Sequence, residues 1–416
     1  MNDLSLTLLQ IIVIVLSSRI ASAILKGFGQ PPVIGEITAG ILLGPSALGA
    51  LSPELFARLF PASSIPTLSS LSQIGLVLFM FLVGLEFAPE LMRERRRDVV
   101  VISHTSIVVP FILGTALALY LYPRVAEPHV TFRGFALFLG TAMSITAFPV
   151  LARILTERNL LRTKLGNTVI ACAAVDDVTA WCVLAFVVMT VRAGDAMHFA
   201  IGLVLLVAYV LLMLFTVRPL LATLLPRLSR IVSSETLIAI VLLFVLASAG
   251  TTEILGIHAL FGAFLVGAIL PREGTLVESL VMHTRSLTTI LFLPLFFAIT
   301  GLRTNVGLLR GSEMWICCAL ILLCAIAGKF GGAALSARAV GFRWREASAI
   351  GVLMNTRGLM EMVVLNIGLD IGVVSRPLFT MIVLMALVTT GMTTPILDRL
   401  TQAQPDLVPD KIEAVT

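Results

Sequence analysis

The chain has 416 residues, 58% of them hydrophobic and only 13% charged, and its mean hydropathy is +1.03. A soluble globular domain carries about 25% charged residues, so the composition excludes a soluble protein and describes a chain that buries its apolar surface in lipid and in a helix bundle. The net charge of +5 could serve nucleic acid, but the basic residues lie in short loops between apolar runs, where they set membrane topology instead.

A helical span needs about 20 apolar residues, fewer if broken. Thirteen such stretches follow one another, at roughly 4–25, 33–50, 68–87, 99–122, 133–155, 166–191, 198–217, 235–251, 256–271, 286–303, 314–338, 346–369 and 378–398. This predicts an all-α polytopic membrane protein, a single transmembrane unit over 1–400. The tail 401–416 is too short to fold alone. The opening MNDLSLTLLQ lacks a basic region and reads as the start of the first span, not as a cleaved signal peptide. Cys172, Cys182, Cys317, Cys318 and Cys324 all fall inside apolar runs without metal-ligand spacing, and are expected to be small core hydrophobes.

Loop charge predicts orientation. With the loop Phe87–Asp98 (Arg93, Arg95, Arg96, Arg97) on the cytoplasmic side, nineteen Lys and Arg fall inside and seven outside. The N-terminus is then outside and the C-terminus cytoplasmic. Spans 4–6 and 11–13 also pair: each is an ordinary helix, a helix with a polar break, and a third helix. The breaks are Thr141-AMSITAF-Pro149 and Met354-NTRG-Leu359. An odd offset between the triplets makes them inverted repeats, and interrupted helices at corresponding positions point to a transporter's ion site.

The sixth span carries Asp176 and Asp177 side by side near its middle. A charge at bilayer depth costs at least about 2.5–3.5 kcal/mol on insertion scales, and neighbouring carboxylates repel. Such a pair persists where the site is wet, paired with a cation or protonated, which describes an ion or proton pathway. Helical neighbours point about 100° apart, so the two carboxylates have different surroundings. Burial favours the protonated form of a carboxylate, so one site can alternate between a proton and a cation. The alternative, two carboxylates capping a helix at the surface, conflicts with the apolar residues on both sides.

Lys329 lies in span 11 among Gly328, Gly331 and Gly332, small residues that permit close helix approach. A buried lysine needs a carboxylate, and Asp176 or Asp177 is the candidate; snorkelling to the interface is the alternative. Thr141, Ser144 and Thr146 in the first break, and Asn355 and Thr356 in the second, offer oxygens to a hard monovalent cation; Pro149 could equally be a simple kink. Arg357 and Glu361, four apart, read as a structural ion pair. Glu36 and Glu86 read as surface or capping residues, with a role at the ion entrance as the alternative; Glu253 and His258 flank the short loop into span 9, and His258 reads as packed or interfacial, with pH sensing as the alternative. No phosphate-binding glycine loop, HExxH or Ser/His/Asp arrangement occurs, so nothing points to an enzyme, and no cofactor is expected.

The segments PPVIGEITAGILLGPSALG, FLVGLEF, AMSITAFPVLARIL, AAVDDVTAW, GIHALFGAFLVGAILP and NTRGLMEMVVLNIG resemble the monovalent cation:proton antiporter family, closest to its plant cation/proton exchanger branch. The resemblance covers nearly the whole chain. It implies a sodium/proton antiporter-like fold with two crossed broken helices. A scaffold that forms a homodimer would comprise about 4–87 and 235–303, an ion-transporting core about 99–191 and 314–398, and a linker span about 198–217. It further implies that Asp177 is the main aspartate for a monovalent cation, Na+ or K+, in competition with H+, and that Asp176 pairs with Lys329. Both aspartates with the lysine imply electrogenic exchange. An inner-membrane location and the absence of a regulatory cytoplasmic domain also follow from the resemblance and the short tail. A gated potassium-efflux channel-like protein and a sodium:solute symporter are the alternatives; the latter needs a roomier polar cavity than these residues suggest.

Overall fold

The computed structural model describes residues 3–86, 96–158, 160–161, 163–192, 196–256, 258–271 and 275–402. Among them every regular element is helical. The main helices are α1 (Asp3–Lys26), α2 (Pro32–Leu43), α3 (Ile65–Glu86), α4 (Arg96–Val125), α5 (Phe132–Ser144), α6 (Phe148–Glu157), α7 (Lys164–Arg192), α8 (Ala196–Leu212), α9 (Arg218–Leu228), α10 (Ser234–Ile254), α11 (Ala259–Ile269), α12 (Thr275–Leu287), α13 (Leu293–Arg303), α14 (Gly311–Ile326), α15 (Gly332–Ala339), α16 (Trp344–Met354), α17 (Leu359–Asp370) and α18 (Arg376–Gln402). Twelve helical stretches among the described residues are long and apolar enough to cross a membrane, and α11 is a shorter apolar helix. Each of the thirteen predicted spans coincides with one of these. The chain is a multi-pass membrane protein. Arg93, Arg95, Arg162, Arg272 and Lys411, which entered the topology count, lie outside the described residues, as do 403–416 of the predicted tail.

The helices gather into two compact units, one from the described parts of Met1–Val15, Leu59–Ala88 and Ala185–Ile299, the other from those of Leu16–Arg58, Pro89–Leu184 and Thr300–Thr416. In the first, α3 and α11 cross at Gly84 and Gly267. A Cβ on Gly84 would sit 2.2 Å from the Phe264 carbonyl oxygen, and one on Gly267 2.2 Å from that of Phe81, so only hydrogen fits between the backbones. Tyr209 Oη lies 2.5 Å from Ser248 Oγ, which donates to the Gly262 carbonyl at 2.8 Å. The chain of contacts satisfies polar groups that lipid would leave unpaired.

Burial runs opposite to hydropathy. An 18-residue segment within Ala200–Leu228 has a mean hydropathy of 2.8 and is 11% buried, whereas one within Trp344–Asp370 has 1.2 and is 94% buried. Lipid solvates the apolar helix as well as protein would; the polar one must be covered by protein.

Three expectations are corrected. Cys182 is exposed on α7, and only Cys172 and Cys317 are buried, because a lipid-facing position is as apolar as a core one. Glu36 is buried at 8% exposure instead of lying at the surface. A Cβ on Gly35 would fall 2.5 Å from Ser22 Cα, so α2 presses against α1 and carries Glu36 inward, where Arg19 and Arg153 supply opposite charge. Span 11 is not an ordinary helix: a π-helical turn, Ala327–Gly331, separates α14 from α15. His258 and Glu253 cap the start of α11, with the Leu260 N–H donating to His258 Nδ1 at 3.5 Å and the Ala259 N–H to Glu253 Oε2 at 2.9 Å.

Candidate functional site

The first break is three residues long. Helix α5 ends at Ser144, Ile145 is extended (φ −76°, ψ 138°), and α6 begins at Phe148 with Pro149 in its first turn. Proline has no N–H to lose there and its fixed φ suits a helix start, so Pro149 opens a new helix and does not kink an old one. The second break, between Met354 and Leu359, separates α16 from α17.

The two breaks touch. The Ala147 N–H donates to the Thr356 carbonyl at 3.0 Å, and Thr146 Oγ1 lies 3.2 Å from the Met354 carbonyl oxygen. The unwound backbone is otherwise satisfied from α18. The Arg357 N–H donates to Thr390 Oγ1 at 3.0 Å, that hydroxyl donates to the Arg357 carbonyl at 2.7 Å, and Thr356 Oγ1 donates to Thr393 Oγ1 at 3.4 Å. The fully buried Arg357 side chain donates to the Ala142 and Met143 carbonyls at 2.9 and 2.8 Å, and to Glu361 Oε1 at 3.0 Å. Arg357 thus caps the negative C-terminal end of α5 from the other repeat.

Beside the crossing lies α7 with its two aspartates, both buried. Asp176 Oδ2 accepts three hydrogen bonds: from Lys329 Nζ at 2.9 Å, Thr146 Oγ1 at 2.8 Å and Ser106 Oγ of α4 at 2.9 Å. Lys329 Nζ also donates to Thr146 Oγ1 at 2.7 Å. The snorkelling alternative is thereby excluded, since Lys329 is 0% exposed. Its π-turn is set by packing: a Cβ on Gly328 would lie 2.7 Å from Pro110 Cα of α4, so glycine lets the two helices close. Asp177 is the opposite case. Among the described residues neither of its carboxylate oxygens has a partner of full hydrogen-bond geometry, and the Phe148 N–H at the start of α6 is a backbone donor close to it.

The structure brings Asp176, Thr146 and Lys329 together, and pairs Arg357 with Glu361. It does not draw Thr141 or Ser144 into the carboxylate cluster by any hydrogen bond. Thr141 Oγ1 donates to the Leu137 carbonyl at 2.7 Å, and Ser144 Oγ lies 2.8 and 3.0 Å from the Gly140 and Ile107 carbonyl oxygens. Asn355 Oδ1 is buried without a hydrogen-bond partner, and Thr356 turns to α18. Sequence reasoning passed over Ser106, Thr390 and Thr393. The available signal was a run of hydroxyl residues inside an apolar span, Ser103 and Ser106 in α4 and the TTGMTT run of α18.

The family model described as "Sodium/hydrogen exchanger, transmembrane" matches residues 12–401. The chain is 44% identical over 397 residues to the Na(+)/H(+) antiporter NhaS4 of Synechocystis sp., covering 95% of this chain and 97% of that protein. It is 40% identical over 399 residues to Cation/H(+) antiporter 17 of Arabidopsis thaliana, covering 95% of this chain and 48% of that one. With K(+)/H(+) antiporter 1 of Saccharomyces cerevisiae it shares 35% over 404 residues, 95% of this chain and 46% of that one. It therefore spans nearly all of the cyanobacterial relative and about half the length of the plant and yeast ones. In fold it matches the sodium proton antiporter MjNhaP1 from Methanocaldococcus jannaschii with a TM-score of 0.61 at 14% identity, over 98% of both chains. A family match over residues 12–401 and relatives aligned over 95% of the chain lead to one conclusion: the chain belongs to the sodium/hydrogen exchanger family, a family of membrane transporters and not of enzymes.

Proposed function

We propose that this chain is a secondary antiporter that exchanges a monovalent cation, Na+ or K+, for H+ by alternating access, with proton and cation competing for the Asp177 carboxylate. The observation that carries the reading is the pair of buried Asp177 oxygens, unpartnered among the described residues, beside Asp176, whose Oδ2 is held by Lys329. A buried carboxylate left without donors favours whatever cation reaches it, a proton or an alkali ion. The names of the relatives support both cations as candidates.

In this mechanism Asp177 takes a proton or a cation from one side. Neutralising it lowers the cost of moving the core, residues about 99–191 and 314–398, past a scaffold of about 4–87 and 235–303 linked by 198–217. The site then opens to the opposite side and the competing ion displaces the first. Lys329 gives up its hold on Asp176 when the cation binds and releases its own proton, the extra charge movement that makes exchange electrogenic. Asn355 Oδ1, buried and unpartnered, and Thr146 are further ligands in this scheme; Thr141, Ser144 and Thr356 contribute only if their present hydrogen bonds rearrange. Arg357 with Glu361 holds the crossing together. The protein works as a homodimer in the inner membrane, N-terminus outside and C-terminus cytoplasmic.

The test is a pulse of Na+ or K+ onto proteoliposomes loaded with a pH-sensitive dye. A cation-triggered change in internal pH is expected, and the more effective ion names the substrate. Cation uptake without proton movement would contradict antiport in favour of a channel or a symporter.

A further inference from the structure

Three elements meet on one oxygen, Asp176 Oδ2: α4 through Ser106, the first break through Thr146, and the π-turn through Lys329. Asp176 Oδ1 is buried and accepts no hydrogen bond from the described residues. Each of the two hydroxyls has a single proton and two acceptors within reach. Ser106 Oγ is 2.9 Å from Asp176 Oδ2 and also 2.9 Å from the Ser103 carbonyl oxygen. Thr146 Oγ1 is 2.8 Å from Asp176 Oδ2 and 3.2 Å from the Met354 carbonyl oxygen. Both hydroxyls can turn away from the carboxylate without becoming unsatisfied donors, which burial would otherwise penalise. Ser106 is 0% exposed, so no water competes for its proton from bulk.

We propose that Ser106 is a positioning residue for cation exchange: its hydroxyl shares Asp176 Oδ2 with Lys329, and re-aims to the Ser103 carbonyl when the carboxylate rearranges. The inference rests on the antiport reading above. Three donors on one oxygen divide its charge among them. With Ser106 present, Lys329 holds Asp176 less tightly, and a cation that requires this hold to loosen binds more readily. Without Ser106, the lysine takes a larger share of the same oxygen and the cation is disfavoured. The occupied Oδ2 also fixes the carboxylate's rotation, which keeps Oδ1 free.

The experiment measures cation KM and maximal proton flux in proteoliposomes for wild type, Ser106→Ala, Ser106→Cys and Ser106→Thr. Ser106→Ala should raise the cation KM by about tenfold, the scale of one hydrogen bond to a charged group, with a smaller change in maximal flux. Cysteine is close to serine in size but a weak donor, so Ser106→Cys should follow Ser106→Ala. Ser106→Thr keeps the hydroxyl and should restore the wild-type KM. A packing role would reverse that order, with Ser106→Cys near wild type and Ser106→Thr, which adds a methyl group, impaired; this result overturns the proposal. So does an unchanged KM in Ser106→Ala, or the failure of both Ser106→Ala and Ser106→Cys to fold, read by melting in detergent. Asp177→Asn in the same series separates the two readings. If wild type gives no cation-triggered proton flux, or if Asp177→Asn retains it, the antiport reading falls. If those controls behave and only the Ser106 variants disagree, the positioning role alone falls.

Discussion

Asp176 and Asp177 are the same residue type, adjacent on one helix and both buried, yet their surroundings are opposite. Asp176 has three donors on one oxygen, drawn from three other elements. Asp177 has none of full hydrogen-bond geometry on either oxygen among the described residues. The roughly 100° turn between helical neighbours is enough to aim one at the Lys329 π-turn and leave the other unpartnered. A buried carboxylate is tolerated where a counter-charge pairs with it or where a proton or a cation neutralises it. This helix carries one carboxylate paired with Lys329 and one without a hydrogen-bond partner among the described residues; in the proposed antiport the second is the exchange site.

The comparison can be broken most sharply at Asp177. Asp177→Asn is expected to reduce cation-triggered proton flux to background while leaving the melting temperature in detergent unchanged or higher, because a neutral amide replaces a charge that has no internal partner. A second break is on the paired side. Lys329→Met leaves Asp176 buried without its counter-charge, and removal of one member of a buried pair costs about 3–5 kcal/mol, so it should lower unfolding free energy in detergent by that order. Lys329→Met combined with Asp176→Asn should regain most of that loss. If the double variant is no more stable than the single one, the pair is not the structural unit that these distances describe.

Two smaller effects sharpen the picture away from α7. Arg357→Ala removes the cap on the Ala142 and Met143 carbonyls and leaves Glu361 unpaired; a destabilisation of about 3 kcal/mol is expected, read in the same unfolding assay. Thr390→Val leaves the buried Arg357 N–H without its acceptor and should cost about 1–3 kcal/mol. Both variants are expected to retain cation-dependent flux when folded, in contrast to Asp177→Asn.

What was legible in the sequence was what the bilayer makes exceptional. Two aspartates, one lysine and two polar breaks stand out because lipid penalises each of them, and the structure puts Asp176, Lys329 and Thr146 within hydrogen-bond distance. Where hydropathy is uniform, the signal fails. Cys182 is exposed and Cys172 buried, although both lie in one long apolar run. Glu36 is buried because Gly35 lets α2 approach α1, a contact invisible in a one-dimensional reading. Hydroxyl residues are ambiguous for another reason: a serine or threonine in a helix can always bond back to its own preceding turn. Thr141 does so and stays out of the cluster, whereas Ser106 also reaches Asp176. Nothing in the local sequence separates the two; the neighbour across the helix interface decides.

The central claim, that the unpartnered carboxylate is the exchange site, is tested most directly by running wild type and Asp177→Asn side by side in dye-loaded proteoliposomes under a cation pulse. The account predicts a cation-triggered change in internal pH for wild type and none for a correctly folded Asp177→Asn. A folded Asp177→Asn that still moves protons in response to the cation would contradict it.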